Sequence, residues 1–553
     1  MASVEAKTAV RLVRIPPVAN DRGHLGLRHL YLDPFSHHHT RIEISTDFDP
    51  TPCGFMMELP QSINLTSILV SVLILAATFC FKCVIDSHRA RLSDIPGPWI
   101  ARYTNLYAVY LAWRTERGSS KLNILDDLRD TYGDVIRLGP RSVTVFDPFA
   151  VPVIYGVRSR LNKVDKGEAY IPFRQSGVTT SLLSIQEETI HSRYRRLVSN
   201  AYSMTSLKAY EPYVDELISK FIKVCEEHAE KKQVLNLSRW CYNYCFDVVA
   251  KLSLGKPLGF LDGYDTYGLY EKVKRFGAYV AIVSQMPWLH KVVQENFVMR
   301  RSRPSPFLKV VSETVNERVY QGKSDTRPDL LSYFVSTHEQ QPQLMTTKQV
   351  AISASGNLIA GSLSPGKTFH EMCKYLASNP ASQDKLYAEL KEGGCGSFPT
   401  FDELQELPDL LGVVKEALRL HSSASFNLQR VTSSAGLRLP NGVFIPGHIN
   451  IGCPASQINR DRHVFGQDAD VYIPERWMKR TAETDEEYLE RKGLMEKTEL
   501  TFGQGSRTCI GKNIFALEVY KVVATLVSLY KVRTVTYFWL FLRKLEVQEA
   551  RSP

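Results

Sequence analysis

Hydrophobic and polar positions divide the chain into a short front segment and a long body. Residues 63–81, INLTSILVSVLILAATFCF, carry no charge. As a helix this run is long enough to cross a hydrocarbon core of about 30 Å. Lys82, His88, Arg89 and Arg91 follow at once. Positive residues behind a span favour a cytosolic C-terminal body. A cleaved signal peptide would show a shorter apolar core and a small-residue cleavage site, so 63–83 is predicted to be a retained signal anchor. Pro96-Gly97-Pro98-Trp99 then breaks the chain, because proline fixes φ and disfavours helix.

From about residue 100 the periodicity is mostly helical, with short strand-like pieces. Residues 135–147, VIRLGPRSVTVFD, alternate around Gly139-Pro140 and predict a hairpin. Residues 207–231 space their apolar side chains as a helix does. In 407–421, LPDLLGVVKEALRLH, the residues Leu410, Val413, Val414, Ala417 and Leu420 share one face. Glu416 and Arg419 stand at i, i+3 on that helix and can meet. Residues 436–450 predict a second strand pair with Asn441-Gly442 as its turn.

The chain has 553 residues, 44% of them hydrophobic, so it can bury a large core. No Pro/Gly/Ser-rich linker splits the part after residue 95, which predicts one large domain. A net charge of +10 suits a membrane surface or an acidic protein partner. No zinc finger, aromatic RNA-binding motif or long basic block points to nucleic acid. Ten cysteines in so long a chain do not make a disulfide framework. Cys80 and Cys83 end the apolar run without a second pair, and Cys241 and Cys245 read as core. Residues 1–55 carry Lys7, Arg11, Arg14, Arg22, Arg28, Arg41 and three consecutive histidines. That charge opposes translocation, and Met56-Met57 directly precede the anchor. The expectation is that translation starts there and that 1–55 is an untranslated or disordered extension.

The strongest chemical signal is Thr501-Phe-Gly-Gln-Gly-Ser-Arg-Thr-Cys-Ile-Gly511. One thiol lies in a glycine-rich loop just before a long helical pattern, Asn513 to Leu529. Helix-end N–H groups and the helix dipole favour thiolate over thiol at Cys509. Gly503, Gly505 and Gly511 let backbone approach a flat macrocycle. Arg507 can pair with a carboxylate such as a haem propionate. A phosphate-binding loop is excluded, because Thr508 stands where its last glycine belongs and no strand of a βαβ unit precedes it.

Phe502-x-x-Gly505-x-Arg507-x-Cys509-x-Gly511 resembles the haem-binding signature of cytochrome P450 enzymes. Glu416-x-x-Arg419 resembles that family's ExxR, and Pro474-Glu475-Arg476-Trp477 its PERF-type segment. His191 and Arg195 in HSRYRR resemble the pair that holds a propionate, and Arg430 in LQRVT the arginine that often joins them. The resemblance covers about 93–545, with finer likeness to the fungal pisatin-demethylase class. It implies a mainly α cytochrome P450 fold with a small β region behind one N-terminal transmembrane helix, the haem domain spanning 93–548. It further implies haem b with Cys509 as axial thiolate, and Glu416, Arg419 and Arg476 as a buried structural network. Electrons would come from NADPH through a flavoprotein reductase, cytochrome b5 being a further partner. Arg195, Arg196 and Lys512 are candidates to steer an acidic partner. The substrate would be a hydrophobic small molecule of fungal secondary metabolism, oxidised at the endoplasmic reticulum membrane with the domain in the cytosol.

One departure stands out. The distal helix of the family carries (A/G)Gx(D/E)T, and here it reads Ala360-Gly-Ser-Leu-Ser-Pro-Gly366. Leu363 replaces the acid and Ser364 the threonine, which leaves Ser364 as the candidate catalytic hydroxyl. Pro365 and Gly366 follow where the helix should continue, and proline inside a helix costs about 3 kcal/mol. A haem dehydratase or isomerase that needs no reductase, and a catalytically impaired haem protein, stay open as alternatives. The C-terminal part, 531–547, is expected to be trimmed. Tyr170, Phe173 and Val178, with Ala354, Ile359 and Ala360, and Ser425, Phe426 and Leu428, are candidates to line the pocket.

Overall fold

A computed structural model of the chain describes residues 65–116, 121–156, 165–174, 180–231, 235–265, 268–294, 306–320, 329–422, 427–536 and 539–544. The extension 1–55, Met56-Met57, Val178, Ser425 and Phe426 lie outside the described residues. Contacts divide the chain into Met1–Leu69, of which only the start of one helix is described, and a compact unit Val70–Pro553.

The first helix, α1, runs Leu65–Arg89, starting two residues later and ending six later than the predicted anchor. Leu73 and Phe81 on it are about two-thirds exposed. It is the one helix among the described residues long and apolar enough to cross a membrane. The proline break behind it is pinned to the body: the Arg137 amide donates to the Pro96 carbonyl at 2.8 Å.

The body is built on helices, of which six position the site: α2 (Glu188–Val198), α3 (Glu211–Glu230), α4 (Leu237–Leu254), α5 (Thr347–Ser378), α6 (Pro408–Leu420) and α7 (Lys512–Leu529). Their apolar faces meet in one large core that includes Cys241 and Cys245, both fully buried. Helix α5 lies close against α4 because two of its residues lack a side chain. A Cβ on Gly361 would sit 2.5 Å from Val249, and one on Gly366 2.7 Å from Tyr242.

Despite the cost of proline, α5 continues through Pro365 to Ser378. Proline deprives the Gly361 carbonyl of its usual N–H donor. Pro365, Gly366, Thr368 and Phe369 are all buried, so packing on both sides holds the helix straight through a single lost bond. Tertiary contact has overridden local propensity.

The predicted hairpin forms as β1 (Val135–Gly139) and β2 (Ser142–Val145), antiparallel, with Val135 opposite Val145. Strand β3 is Arg430–Val431, and β4 (Leu437–Arg438) and β5 (Phe444–Ile445) make the second predicted pair. Its turn holds Gly442 at φ +86°, a conformation glycine adopts without strain. Strand β6 (Asn450–Gly452) runs parallel to β2 and antiparallel to β3, giving the order β1-β2-β6-β3. A last antiparallel pair, β7 (Tyr530–Thr536) and β8 (Trp539–Lys544), follows α7.

Candidate functional site

The loop Thr501–Gly511 leads into α7 with Gly511 as its N-cap. The Cys509 amide donates to the Phe502 carbonyl at 2.8 Å and closes the loop on itself. Gly505 adopts φ +71°, and a Cβ there would fall 1.8 Å from the Tyr155 carbonyl oxygen, so no other residue fits. Phe502 anchors the loop edge-on against Phe515, ring centres 5.4 Å apart. The Cys509 side chain has open surface. Burial pushes the thiol up; the N–H groups of Gly511 and Lys512 and the charges of Arg195 and Lys166 pull toward thiolate.

Cations gather beside this loop. Arg507 gives its Nε to Glu188 at 2.5 Å, and its terminal nitrogens to the carbonyls of Ile185 and Gln186 at 2.8 and 2.7 Å. Arg195 donates to the Thr508 carbonyl at 2.6 Å, one residue before the cysteine. Arg430 is buried, bonded to the Gln429 carbonyl at 3.0 Å and stacked 5.0 Å over Tyr155. Lys166, which the sequence reading did not single out, is buried with Nζ on the Leu183 carbonyl at 2.7 Å. An isolated bridge between Lys166 and Arg430 brings it there. Burial first, then Arg507 and Arg430, hold its ammonium pKa well below the ordinary lysine value. His191 is buried, its Nδ1 without a hydrogen bond and 3.8 Å from the Glu188 carboxylate, and burial followed by the Arg507 and Lys166 charges lowers its pKa to about 2.

Four basic side chains, Lys166, Arg195, Arg430 and Arg507, thus stand against two carboxylates, Glu188 and the exposed Asp165, in a largely buried cluster. Burying unmatched charge is costly unless an anion joins it. Haem b brings two propionates and a flat ring that wants a thiolate. The donor set fits that group in both charge and chemistry. Arg507 is already matched by Glu188, so Arg195, Arg430 and Lys166 are the groups with charge to offer.

Behind the loop stands a fully buried network. Arg419 donates to both Glu416 oxygens at 2.9 and 2.7 Å and to the carbonyls of Asn459 and Ala469 at 2.7 and 2.6 Å. Arg476 donates to Glu416 at 3.3 Å, and the Trp477 indole N–H donates to the other Glu416 oxygen at 3.0 Å. The two-step link to the loop runs through Asn459, unnoticed in the sequence. Its Oδ1 accepts from the Leu500 amide at 2.9 Å and its Nδ2 donates to the Thr501 hydroxyl at 3.1 Å.

On α5, Ala360 and Ser364 are exposed one turn apart on one face. Leu363 packs on the main core. The Thr368 hydroxyl donates to the Ser364 carbonyl at 2.9 Å. Of the pocket candidates, Ala354 belongs to the buried core, Ile359 packs against it and Leu428 packs against the smaller core near the sheet. Tyr170 is buried; Phe173 lies 6.2 Å from its ring and meets Phe276 edge-on at 6.5 Å. Arg196 and Lys512 are exposed, whereas Arg195 is engaged at the loop.

Comparison with known proteins agrees with this architecture. A cytochrome P450 family model matches residues 103–537. A cytochrome P450 monooxygenase of Aspergillus terreus is 30% identical over 501 residues, 87% of this chain and 99% of that protein. The cytochrome P450 monooxygenase cicH of Emericella nidulans is 31% identical over 457 residues, 80% and 89%. For the cytochrome P450 monooxygenase mpaDE′ of Penicillium brevicompactum, 31% identical over 460 residues, the chain spans about half the relative, 52%, and 80% of itself. The chain belongs to the cytochrome P450 family, as an oxidoreductase of the monooxygenase kind found in fungal secondary metabolism.

Proposed function

We propose that Cys509 is the axial thiolate of a haem b, and that the enzyme oxidises, most simply hydroxylates, a hydrophobic small molecule of fungal secondary metabolism. The surplus of buried positive charge beside the Cys509 loop carries this reading, because two propionates would balance it. Arg195, Arg430 and Lys166 hold those carboxylates, Arg507 and His191 shape the wall, and the Gly511 and Lys512 amides keep the sulfur anionic. A thiolate-ligated haem pushes electron density to iron and favours O–O cleavage. The electrons come from NADPH through a flavoprotein reductase on the same membrane, with cytochrome b5 as a second donor. Exposed Arg196 and Lys512 lie on the cysteine side, where an acidic partner would dock. Helix α1 anchors the enzyme in the endoplasmic reticulum, the domain facing the cytosol. The test is conversion of lipophilic fungal metabolites by membranes holding this enzyme and a reductase, with oxygen-18 gas. One labelled oxygen atom per product, dependent on NADPH, supports the reading; unlabelled product refutes it.

The packing of half-buried Leu363 against the core where an acid is expected favours a second reading, a haem dehydratase or isomerase. Turnover without NADPH and reductase would decide for it.

A further inference from the structure

The helix Leu106–Glu116 is apolar on both of its faces. From Leu106 to Trp113 it reads LYAVYLAW, without a charge. One face turns inward, where Tyr107 and Leu111 pack on the small core around Ile136 and Phe146. The other carries Leu106, Tyr110 and Trp113 at i, i+4 and i+7, and these are 50%, 45% and 43% exposed. Trp99, in the short helical turn Trp99–Arg102 just before, is 76% exposed. Tyr110 and Trp113 stack with ring centres 6.3 Å apart, and Arg114 lies 5.8 Å over the Tyr110 ring. A single exposed apolar residue is ordinary, whereas a row of them on a helix whose opposite face is already in the core calls for a cover.

The place of this row in the chain says what the cover is. Trp99 follows closely on Arg89, where α1 ends. The link between them is no loose tether, because Ala90, Leu92 and Ile95 are buried in the core that β1 and β2 share. Arg137 on β1, itself buried, fastens both ends of that link. Its guanidinium donates to the Ser87 hydroxyl on α1 at 3.3 Å, to the Leu92 carbonyl at 3.3 Å and to the Arg102 carbonyl at 3.1 Å. It also holds the Gly139 and Pro140 carbonyls of its own hairpin, at 3.3 and 3.0 Å. Gly97 lies so close that a Cβ there would sit 2.3 Å from the Arg137 carbonyl oxygen. One side chain thus sets the spacing between the end of α1 and the start of the exposed row. Arg89, Arg91, Arg102 and Arg114 stand exposed along this stretch with Asp94, a positive balance that suits anionic lipid. Tyrosine and tryptophan, apolar with one polar end, favour the headgroup layer of a bilayer.

We propose that Trp99, Leu106, Tyr110 and Trp113 form a second membrane contact, seated in the headgroup layer of the bilayer that α1 crosses, and that Arg137 holds this face in register with the span. The inference rests on the reading of α1 as a membrane anchor. One span alone lets the domain tilt with its helix. A second contact sets that tilt, and with it the side of the domain that meets the lipid from which a lipophilic substrate arrives.

The test uses the full-length, haem-loaded enzyme, one molecule per nanodisc, in phosphatidylcholine with phosphatidylserine. Lipid carrying a nitroxide near the top of its acyl chain is expected to quench the tryptophan emission, and Trp99→Phe/Trp113→Phe to remove most of that quenching. Polarised absorption of the haem in oriented bilayers reads the tilt of the domain. Leu106→Glu/Tyr110→Glu, at exposed positions, shifts the tilt while the variant still resists extraction by alkaline carbonate, as α1 alone requires. Arg137→Lys keeps the charge but loses the forked donors, and broadens the spread of tilts. Ser87→Ala, which removes only the bond to α1, does the same more weakly. Quenching and tilt unchanged in both surface variants overturn the contact while the anchor stands, and a spread unchanged in Arg137→Lys and Ser87→Ala overturns the role of Arg137. Cross-linked pairs in detergent that Leu106→Glu/Tyr110→Glu abolishes, with no quenching by the labelled lipid, assign the row to a second copy of the chain and overturn the membrane contact. Wild-type enzyme released by carbonate overturns the anchor and the inference with it.

Discussion

Arg419→Met should be among the most damaging single changes in the molecule. Both Arg419 and Glu416 side chains are fully buried. Removing Arg419 leaves the buried Glu416 carboxylate with Arg476 at 3.3 Å as its remaining cation, and breaking such a buried pair costs about 3–5 kcal/mol. The carbonyls of Asn459, Ala469 and Val471 also lose their donor. Each buried acceptor left short adds about 1–3 kcal/mol, though not additively. A loss of about 5 kcal/mol or more is thus expected, against a total stability on the order of 5–15 kcal/mol for a folded domain. The same change frees Asn459 and so loosens Leu500 and Thr501 at the mouth of the Cys509 loop. The assay is urea unfolding of detergent-solubilised protein followed by tryptophan fluorescence, alongside the fraction of protein that carries haem. The double variant Glu416→Gln/Arg419→Met removes both charges of the pair while Arg476 keeps Asp468 at 2.6 Å, so it should be the more stable of the two. A single variant destabilised by less than about 1 kcal/mol, or a double variant worse than the single, would refute the reasoning.

Other changes test other parts. Gly505→Ala drives a Cβ to 1.8 Å from the Tyr155 carbonyl, so the loop must shift and the haem-bound fraction should collapse while the helical circular dichroism survives. Lys166→Met removes one of the unmatched cations; if a charged hydrogen bond is worth about 1.5–3 kcal/mol, haem should transfer to apomyoglobin about tenfold faster or more. His191 is held neutral in the fold, its pKa of about 2 lying below the ordinary 6.5. Below pH 6.5 the unfolded chain therefore binds a proton the native state refuses, and stability falls by up to about 1.4 kcal/mol per pH unit. Unfolding midpoints of His191→Phe should fall less steeply than wild type between pH 6 and about 4, and equal slopes would count against the assignment.

The parts of the site that sequence revealed are those set by short-range spacing. Glu416 and Arg419 share a helix three residues apart, and their meeting follows from helical geometry. Gly503, Gly505 and Cys509 lie in one loop, so the need for glycine was readable there. Lys166 was not, because its run of alternating charge looks like solvated surface; only the bridge to Arg430 places it beside the loop. Asn459 was silent for the same reason, its role depending on carbonyls and amides far apart in sequence. How Pro365 is tolerated was not readable either, since its cost is local while its support, the packing of α4 against Gly361 and Gly366, is tertiary. The sheet order β1-β2-β6-β3 likewise depends on a parallel pairing of strands about 300 residues apart, which no local pattern announces.

The account stands most directly on the state of one sulfur. Purified enzyme, reduced and exposed to carbon monoxide, should give the absorption band of a thiolate-ligated haem. Cys509→Ala should abolish that band, leaving either no haem or haem with the spectrum of a nitrogen- or water-ligated iron. A Cys509→Ala protein that keeps its haem content and its thiolate band would contradict the account, because the axial ligand would then lie elsewhere.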